Sequence, residues 1–346
     1  MQRSFPVTAL AVLMVVMLAG CTDAGPTAAS LQVNDSPFGE ALSFSEMVDN
    51  DELMLFMGGG IEDVLGSGIE SFGEVTRASL LASTPSPYAA VDVPGALATR
   101  AFGINAVGEI VGSYTDATGT WGFLWADGNI TTIRVPGSVT TEAWGINPQG
   151  DIVGRYRVAG DARTFGFLLS DGVFTDISVP GHLHTLPIKI SPSGDIVGCF
   201  HDTNFLLDMR GYVQRGNRVQ SFQLLPSTMH NGVTPGAGVV AGISFESGTL
   251  VHAYVLDGGV YTQFDAPGAS FTQAWDVNPR GTVVGYFNPV TSHGFTRDAQ
   301  GLRVIDVPGA NWTRIFGISP QGDLVGSYAD AGNVVHGFLL RGRDRN

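Results

Sequence analysis

The sequence predicts an all-β fold, a six-bladed β-propeller over residues 89–346 closed by an N-terminal strand at 89–93 that completes the last blade. Three observations predict it. A motif ending in glycine recurs at Gly112, Gly154, Gly198, Gly242, Gly285 and Gly326, at spacings of 42, 44, 44, 43 and 41 residues. A proline closing an alternating stretch precedes that glycine by 18 residues at Pro94, Pro136, Pro180, Pro267 and Pro308, and by 16 at Pro226. The region opens on an extended stretch with no partner before it, Ala89–Val93, and ends at Gly337–Leu340 one stretch short of a full copy.

Each copy holds four short extended stretches. In the first they are Ala101–Asn105, Glu109–Tyr114, Trp121–Trp125 and Asn129–Val135. The joint Ala126-Asp127-Gly128 is a hairpin signal, because Asp and Gly tolerate positive φ. In the second copy Asn147-Pro148-Gln149-Gly150 puts proline where φ near −65° helps and glycine where the left-handed region is needed. Four strands in about 42 residues match a propeller blade and exceed one coil of a β-helix. One stray leading strand and one missing final strand make a single blade, which seals the ring and leaves only short edges. The alternative is an open β-solenoid.

Composition narrows the function. Only 14% of the 346 residues are charged, against about 25% in an average soluble domain, while 47 are glycine and 18 proline. A formal charge of −14 argues against gripping nucleic acid phosphates. Lys189 is the sole lysine among 18 bases, so there is no polybasic membrane patch.

The N-terminus reads as an address. Residues 1–20 carry Arg3 and then an apolar run in which Thr8 is the one polar side chain from Phe5 to Gly20, a signal-peptide core too short to span a bilayer. It ends in Leu18-Ala19-Gly20-Cys21, which resembles the bacterial lipobox. The resemblance implies lipidation of Cys21 by acyl chains such as palmitate, cleavage before it, and a stable membrane anchor. Thr22, rather than aspartate, follows the cysteine, which favours the outer membrane of the periplasmic space. The alternative is an ordinary secretory signal. Residues 21–88 form an acidic, mostly flexible tether, with 11 acids against Arg77 between Thr22 and Tyr88 and a short helix predicted over 43–57. Cys199 is then a lone thiol and reads as a buried structural cysteine.

The repeat resembles the HAF-type extracellular repeat, on the triplets His252-Ala253-Tyr254, His293-Gly294-Phe295 and His336-Gly337-Phe338. Trp121 and Phe165 stand in for the histidine elsewhere, and Asn204-Phe205-Leu206 matches poorly. The resemblance implies an extracytoplasmic β-protein and no shared activity. The alternation of His with Trp and Phe suggests a packing position that needs a flat ring.

No Gly-x-Ser-x-Gly elbow, His-Glu-x-x-His, Cys-x-x-Cys or EF-type calcium loop occurs. Departures from the repeat therefore carry more information than matches. His182, His184, His201, Asp202 and His230 gather in blades three and four, where imidazoles and a carboxylate suit a divalent metal or a general base. The competing reading makes them solvent-facing loop residues. A second set flanks a recurrent threonine after each Pro-Gly: Arg100, Glu142, His184, Phe271, Gln273, Trp312 and Arg314. Facing the central mouth, they would form a ligand-binding face for a sugar, peptide or protein; Trp312 equally suits a wedge between blades. The sequence thus favours a monomeric, lipid-anchored binding or interaction module without a cofactor over an enzyme. The alternative is a hydrolase, lactonase or lyase with a metal or histidine site on blades three and four.

Overall fold

A computed structural model describes residues 87–202, 208–223, 227–246, 250–288 and 290–342. The signal segment, Cys21, the 43–57 stretch, the rest of the tether up to residue 86 and the Asn204-Phe205-Leu206 triplet lie outside the described residues.

The described chain is all-β. After a leading strand β1 (Tyr88–Ala90) come β2 (Ala98–Ile104), β3 (Ile110–Asp116), β4 (Gly119–Ala126) and β5 (Asn129–Ile133). The next four are β6 (Ser138–Ile146), β7 (Ile152–Val158), β8 (Phe165–Ser170) and β9 (Val173–Ile177). Then follow β10 (His184–Ile190), β11 (Ile196–His201), β12 (Arg210–Arg215) and β13 (Arg218–Phe222). A fourth run comprises β14 (Ser227–Val233), β15 (Val239–Phe245), β16 (Val251–Asp257) and β17 (Val260–Phe264). A fifth comprises β18 (Phe271–Val277), β19 (Val283–Asn288), β20 (His293–Asp298) and β21 (Gly301–Ile305). The chain ends on β22 (Trp312–Ile318), β23 (Leu324–Ala329) and β24 (Val335–Leu340).

Within each run, consecutive strands pair antiparallel. The last run takes its fourth strand from the start of the described residues: β1 pairs with β24, Tyr88 opposite Leu340, Ala89 opposite Leu339 and Ala90 opposite Phe338. Val91 N continues the contact, donating to Gly337 O at 3.0 Å. The strand starts at Tyr88, one residue before the expected boundary. Its ladder stops at Ala90, and the Val93 amide is taken instead by Thr99 Oγ1 at 3.1 Å.

Ladders join these runs into sheets of twelve, four and eight strands. Three junctions between runs are isolated parallel bridges, Ala98 with Val335, Thr120 with Thr140 and Val251 with Phe271. The other three are single backbone bonds at equivalent places: Thr185 N to Thr164 O, Thr228 N to Met209 O and Thr313 N to Ser292 O.

The first strand of every run carries a β-bulge at one repeat position, between Ala101 and Gly103, Ala143 and Gly145, Pro187 and Lys189, His230 and Gly232, Ala274 and Asp276, and Ile315 and Gly317. The bulged residues are Phe102, Trp144, Ile188, Asn231, Trp275 and Phe316. An extra residue re-aims its side chain, and here those aims converge. Phe102 stacks on Trp144 at 3.9 Å, Trp144 on Trp275 at 5.5 Å, and Phe316 meets Phe102 and Trp275 edge-on. Residues from first strands far apart in sequence thus share one core cluster.

The bulge also explains the motif glycine. A Cβ on Gly154 would lie 2.0 Å from Glu142 O and 2.8 Å from the Phe167 ring; on Gly326 it would lie 2.0 Å from Arg314 O. The bulging strand pushes its carbonyl into the space a side chain would need. Two polar devices complete the unit. The recurrent threonine accepts, at Oγ1, the amide six residues before it: Val135 N to Thr141, Val179 N to Thr185, Ala266 N to Thr272 and Val307 N to Thr313. The residue opening the first turn folds it by accepting two amides, as Asn147 Oδ1 does from Gln149 and Asp151. The recurrent acid then braces that residue, Asp151 Oδ2 accepting from Asn147 Nδ2 at 2.8 Å.

Replacing Thr141 by valine keeps the shape and strands the buried Val135 amide, for an expected loss of about 1–3 kcal/mol. Gly154→Ala forces a backbone clash and is expected to lose about 3 kcal/mol or more. Urea unfolding of both variants against the parent checks the pair.

Candidate functional site

Two ends of the strand runs can be told apart. At the loop end lie the segments following each Pro-Gly and the links between second and third strands. At the turn end lie the turns between first and second strands.

Most of the expected ligand-binding face is spent on internal contacts. Glu142 is buried and accepts from the Trp144 indole at 2.8 Å and from Arg155 Nε and Nη2 at 3.0 and 2.8 Å. Gln273 is buried and accepts from the Trp275 indole at 3.1 Å. A buried indole N–H needs an acceptor, and each of these bulged tryptophans finds one two residues upstream. Arg100 and Arg314 hold the same place before Phe102 and Phe316, whose rings need no acceptor. Arg314 is buried, bonded to Ser292 Oγ at 3.1–3.2 Å, with its guanidinium 4.3 Å from the Trp312 ring centre. Trp312 is buried as well. Arg100, His184 and Phe271 are the part-exposed members.

The expected histidine group divides. His182 Nδ1 meets Asp202 Oδ2 at 2.8 Å, and the other carboxylate oxygen takes Leu183 N at 2.9 Å. His184 stacks on His201 with ring centres 4.5 Å apart and accepts Thr164 N at Nδ1. His230 does not join them. Its fully buried ring bonds Tyr254 OH through Nδ1 and lies against Gly211, where a Cβ would come within 2.9 Å of it. Among the described residues no three of His, Cys, Asp and Glu stand close enough together to hold a metal ion. Burial, then the neighbouring His184, lowers the His201 pKa to about 4, and burial lowers that of His230 to about 3. Cys199 is buried and pushed up to about 12 by desolvation, so it stays a thiol.

The repeat histidines pair with an aspartate two residues before the next proline: His252 with Asp265 at 2.9 Å, His293 with Asp306 at 2.8 Å, and His336 with Asp92 at 2.9 Å. The last pair joins opposite ends of the described chain. Rings stack here too, His336 on Tyr328 and Phe165 on Tyr156. Where Trp121 replaces the histidine, Arg134 replaces the aspartate and covers the ring at 3.7 Å.

Sequence reasoning missed a buried ion pair. At the position after the bulge stand Gly103, Gly145, Gly232 and Gly317, but Lys189 and Asp276 in the third and fifth runs. A Cβ on Gly145 would lie 2.8 Å from Lys189 Cα, and one on Gly232 would lie 2.5 Å from Asp276 Cα. Lys189 Nζ donates to Phe102 O at 2.7 Å and Phe316 O at 3.0 Å, and lies 3.3 Å from Asp276 Oδ2. One ammonium thus touches first strands of three other runs. Desolvation lowers the Lys189 pKa and raises that of Asp276, each partly offset by the partner. The signal was available as the two departures from glycine. Asp276 also lines a depression of about 60 Å³ at the turn end, together with Ile104, Ile146, Ile190, Val233, Val277 and Ile318.

No family model and no curated protein matches the chain. Among solved structures it is similar to a gluconolactonase from Xanthomonas campestris, at TM-score 0.47 and 15% identity over 71% of this chain and 88% of that one. It is also similar to the β-propeller domain of the trilobed protease from Pyrococcus furiosus, at 0.46 and 12% over 70% and 96%. A third is the Aleuria aurantia lectin, at 0.44 and 11% over 74% and 93%.

Lys189→Met leaves Asp276 buried without its cation, for an expected loss of about 3–5 kcal/mol; thermal or urea unfolding measures it. His201 and His230 bind protons more readily unfolded than folded. Their contribution is therefore complete above pH ~6.5 and lost as pH falls towards about 4 for His201 and about 3 for His230, by up to roughly 1.4 kcal/mol per histidine per pH unit. Urea midpoints of the parent should drop from pH 7 to pH 5, and those of a His201→Gln, His230→Gln double variant should drop less.

Proposed function

We propose that the chain is a six-bladed β-propeller, closed by β1 completing the blade of β22–β24, and that it acts as a binding or interaction module. The convergence of bulged residues carries the architecture: Trp144 of the second run touches Trp275 of the fifth, a contact natural only if first strands line a common axis. Supporting it are six equivalent junctions between neighbouring runs, the last of them Ala98 with Val335. Asp92 also serves His336 as Asp265 and Asp306 serve His252 and His293.

The binding reading rests on how the axial polar groups are used. Glu142, Gln273, Arg155, Lys189 and Asp276 hold strands and indoles in place, which leaves the loops of the rim as the surface to meet a protein or carbohydrate. The lipobox-like Cys21 and the acidic stretch after it support display of this ring from a bacterial membrane, the outer one favoured, and the triplets support kinship with HAF-type repeat proteins. A second reading, a hydrolase, lactonase or lyase, is favoured by the stacked His184–His201 pair beside His182 and Asp202. A glycan and peptide array, run beside a lactone and ester screen on the parent and on His184→Ala, separates the two. The binding reading expects ligand capture and no turnover. Turnover lost in His184→Ala would replace it with the enzymatic one.

Closure makes its own prediction. Burial opposes charge on His336, but the hydrogen bond and charge of Asp92, joined by Asp330, outweigh it and raise its pKa. Stability from the pair is then complete below pH ~6.5 and is lost as pH rises through the raised pKa. Asp92→Asn is expected to lower the unfolding midpoint more at pH 6 than at pH 8.5. An equal effect at both values would mean that this pairing does not hold the chain ends together.

A further inference from the structure

The depression at the turn end is built from the same repeat position six times over. Ile104, Ile146, Ile190, Val233, Val277 and Ile318 form an aliphatic ring, and the next tier is proline at 148, 192, 235, 279 and 320. Ala106 takes the place of proline in the first run, so the rim is notched there. A space of about 60 Å³ exceeds what one water needs and suits a short group with an apolar stem and a polar head, since Asn105, Asp276 and Asn278 line it beside the aliphatic residues.

Its lining is not all apolar. Asp276 is 8% exposed, and its bonds are uneven: Val277 N at 2.8 Å on Oδ1, with Ile318 N at 3.2 Å and Lys189 Nζ at 3.3 Å on Oδ2. Lys189 makes its closer contacts to the carbonyls of Phe102 and Phe316. A carboxylate has about four acceptor directions, so Oδ1 keeps capacity for another donor. At the turns that carry the lining prolines, Asp323 is paired with Arg341 and Asp195 with Arg215. Glu109 is held by the neutral amide of Asn105, and Asp151 by Asn147 and Ser170. These two acids belong to the turns of the first and second runs, and the Arg341 guanidinium lies beside Gly108 in the first of them.

From this arrangement we infer that the depression is a binding site for a small aliphatic primary amine, its ammonium on Asp276 Oδ1 and its short stem within the aliphatic ring. The site is separate from the loop-end surface of the proposed binding module, so either can fail without the other. The aliphatic side chains of the ring cover part of the CH₂ surface. The Asp276 carboxylate then gains a charge-assisted bond at low dielectric, stronger than a neutral alcohol supplies.

The test uses the purified full-length chain with labelled isoleucine δ1 methyls, titrated with n-butylammonium chloride against sodium chloride of equal ionic strength. Saturable shifts at Ile104, Ile146, Ile190 and Ile318 are expected, with n-butanol at least about tenfold weaker. Asp276→Asn should bring amine and alcohol to equal affinity. Because that variant alters the axis, Ala106→Trp serves as the second: it fills the notch without altering Asp276, and should weaken the amine at least about tenfold. No saturable methyl shift in the folded parent, equal binding of alcohol and amine by the parent, or undiminished binding by Ala106→Trp would each overturn the inference.

Discussion

One local distortion governs this molecule: the β-bulge in the first strand of each run. It turns a side chain out of the sheet towards its counterparts, and it drives the preceding carbonyl against the second strand. Only glycine fits opposite that carbonyl, as the 1.8–2.2 Å approaches at all six motif glycines require. The sequence repeat is therefore a record of backbone crowding. What looks like a motif for binding or catalysis is the imprint of six strands making room for the same kink.

Around that fixed backbone the side chains vary in pairs. Where the bulge holds tryptophan, the residue two before it is an acceptor, Glu142 or Gln273; where it holds phenylalanine, arginine stands there. Where the third strand carries histidine near its start in the last three runs, aspartate faces it, and where it carries Trp121 there an arginine does. Each pairing satisfies a buried N–H, an imidazole or a ring face with the group that suits it. Variability at these places is compensation inside the unit, and it explains why residues that look free to meet a ligand are largely buried.

The strand pattern was legible because it rests on local chemistry. Asp-Gly and Asn-Pro-x-Gly turns set the register, the threonine at a fixed distance from proline clamps the linker, and β1 lies opposite Leu339 as the uneven chain ends imply. Side-chain direction was not legible. Counting residues from Pro-Gly puts Glu142, Gln273 and Arg314 near the mouth, but the bulge and the indoles below draw them inward. His230 was grouped with His201 by loop position, whereas its strand carries it into the core beside Tyr254. The pairing of Lys189 with Asp276 was not legible either: each is an exception to a glycine in a different run, and the two lie 87 residues apart. Their meeting depends on the third and fifth runs facing one another, which no single repeat encodes.

The exceptions are also unevenly placed. Lys189, His230, Asn231 and Asp276 all belong to the third, fourth and fifth runs, and all replace a small or apolar residue of the repeat with a buried polar one. An apolar axis would be the more stable choice, since a buried ion pair seldom repays its desolvation against well-packed hydrophobic residues. In a stack of near-identical sheets, however, an apolar axis fits any neighbour equally well. Lys189 reaches the carbonyls of Phe102 and Phe316 and the carboxylate of Asp276 together, so it is satisfied by one arrangement of the first, third, fifth and last runs. A shift of any one of them by a strand would strand a charge in the core. The buried pair thus ties these four runs to one another through groups that an apolar substitution would leave without partners.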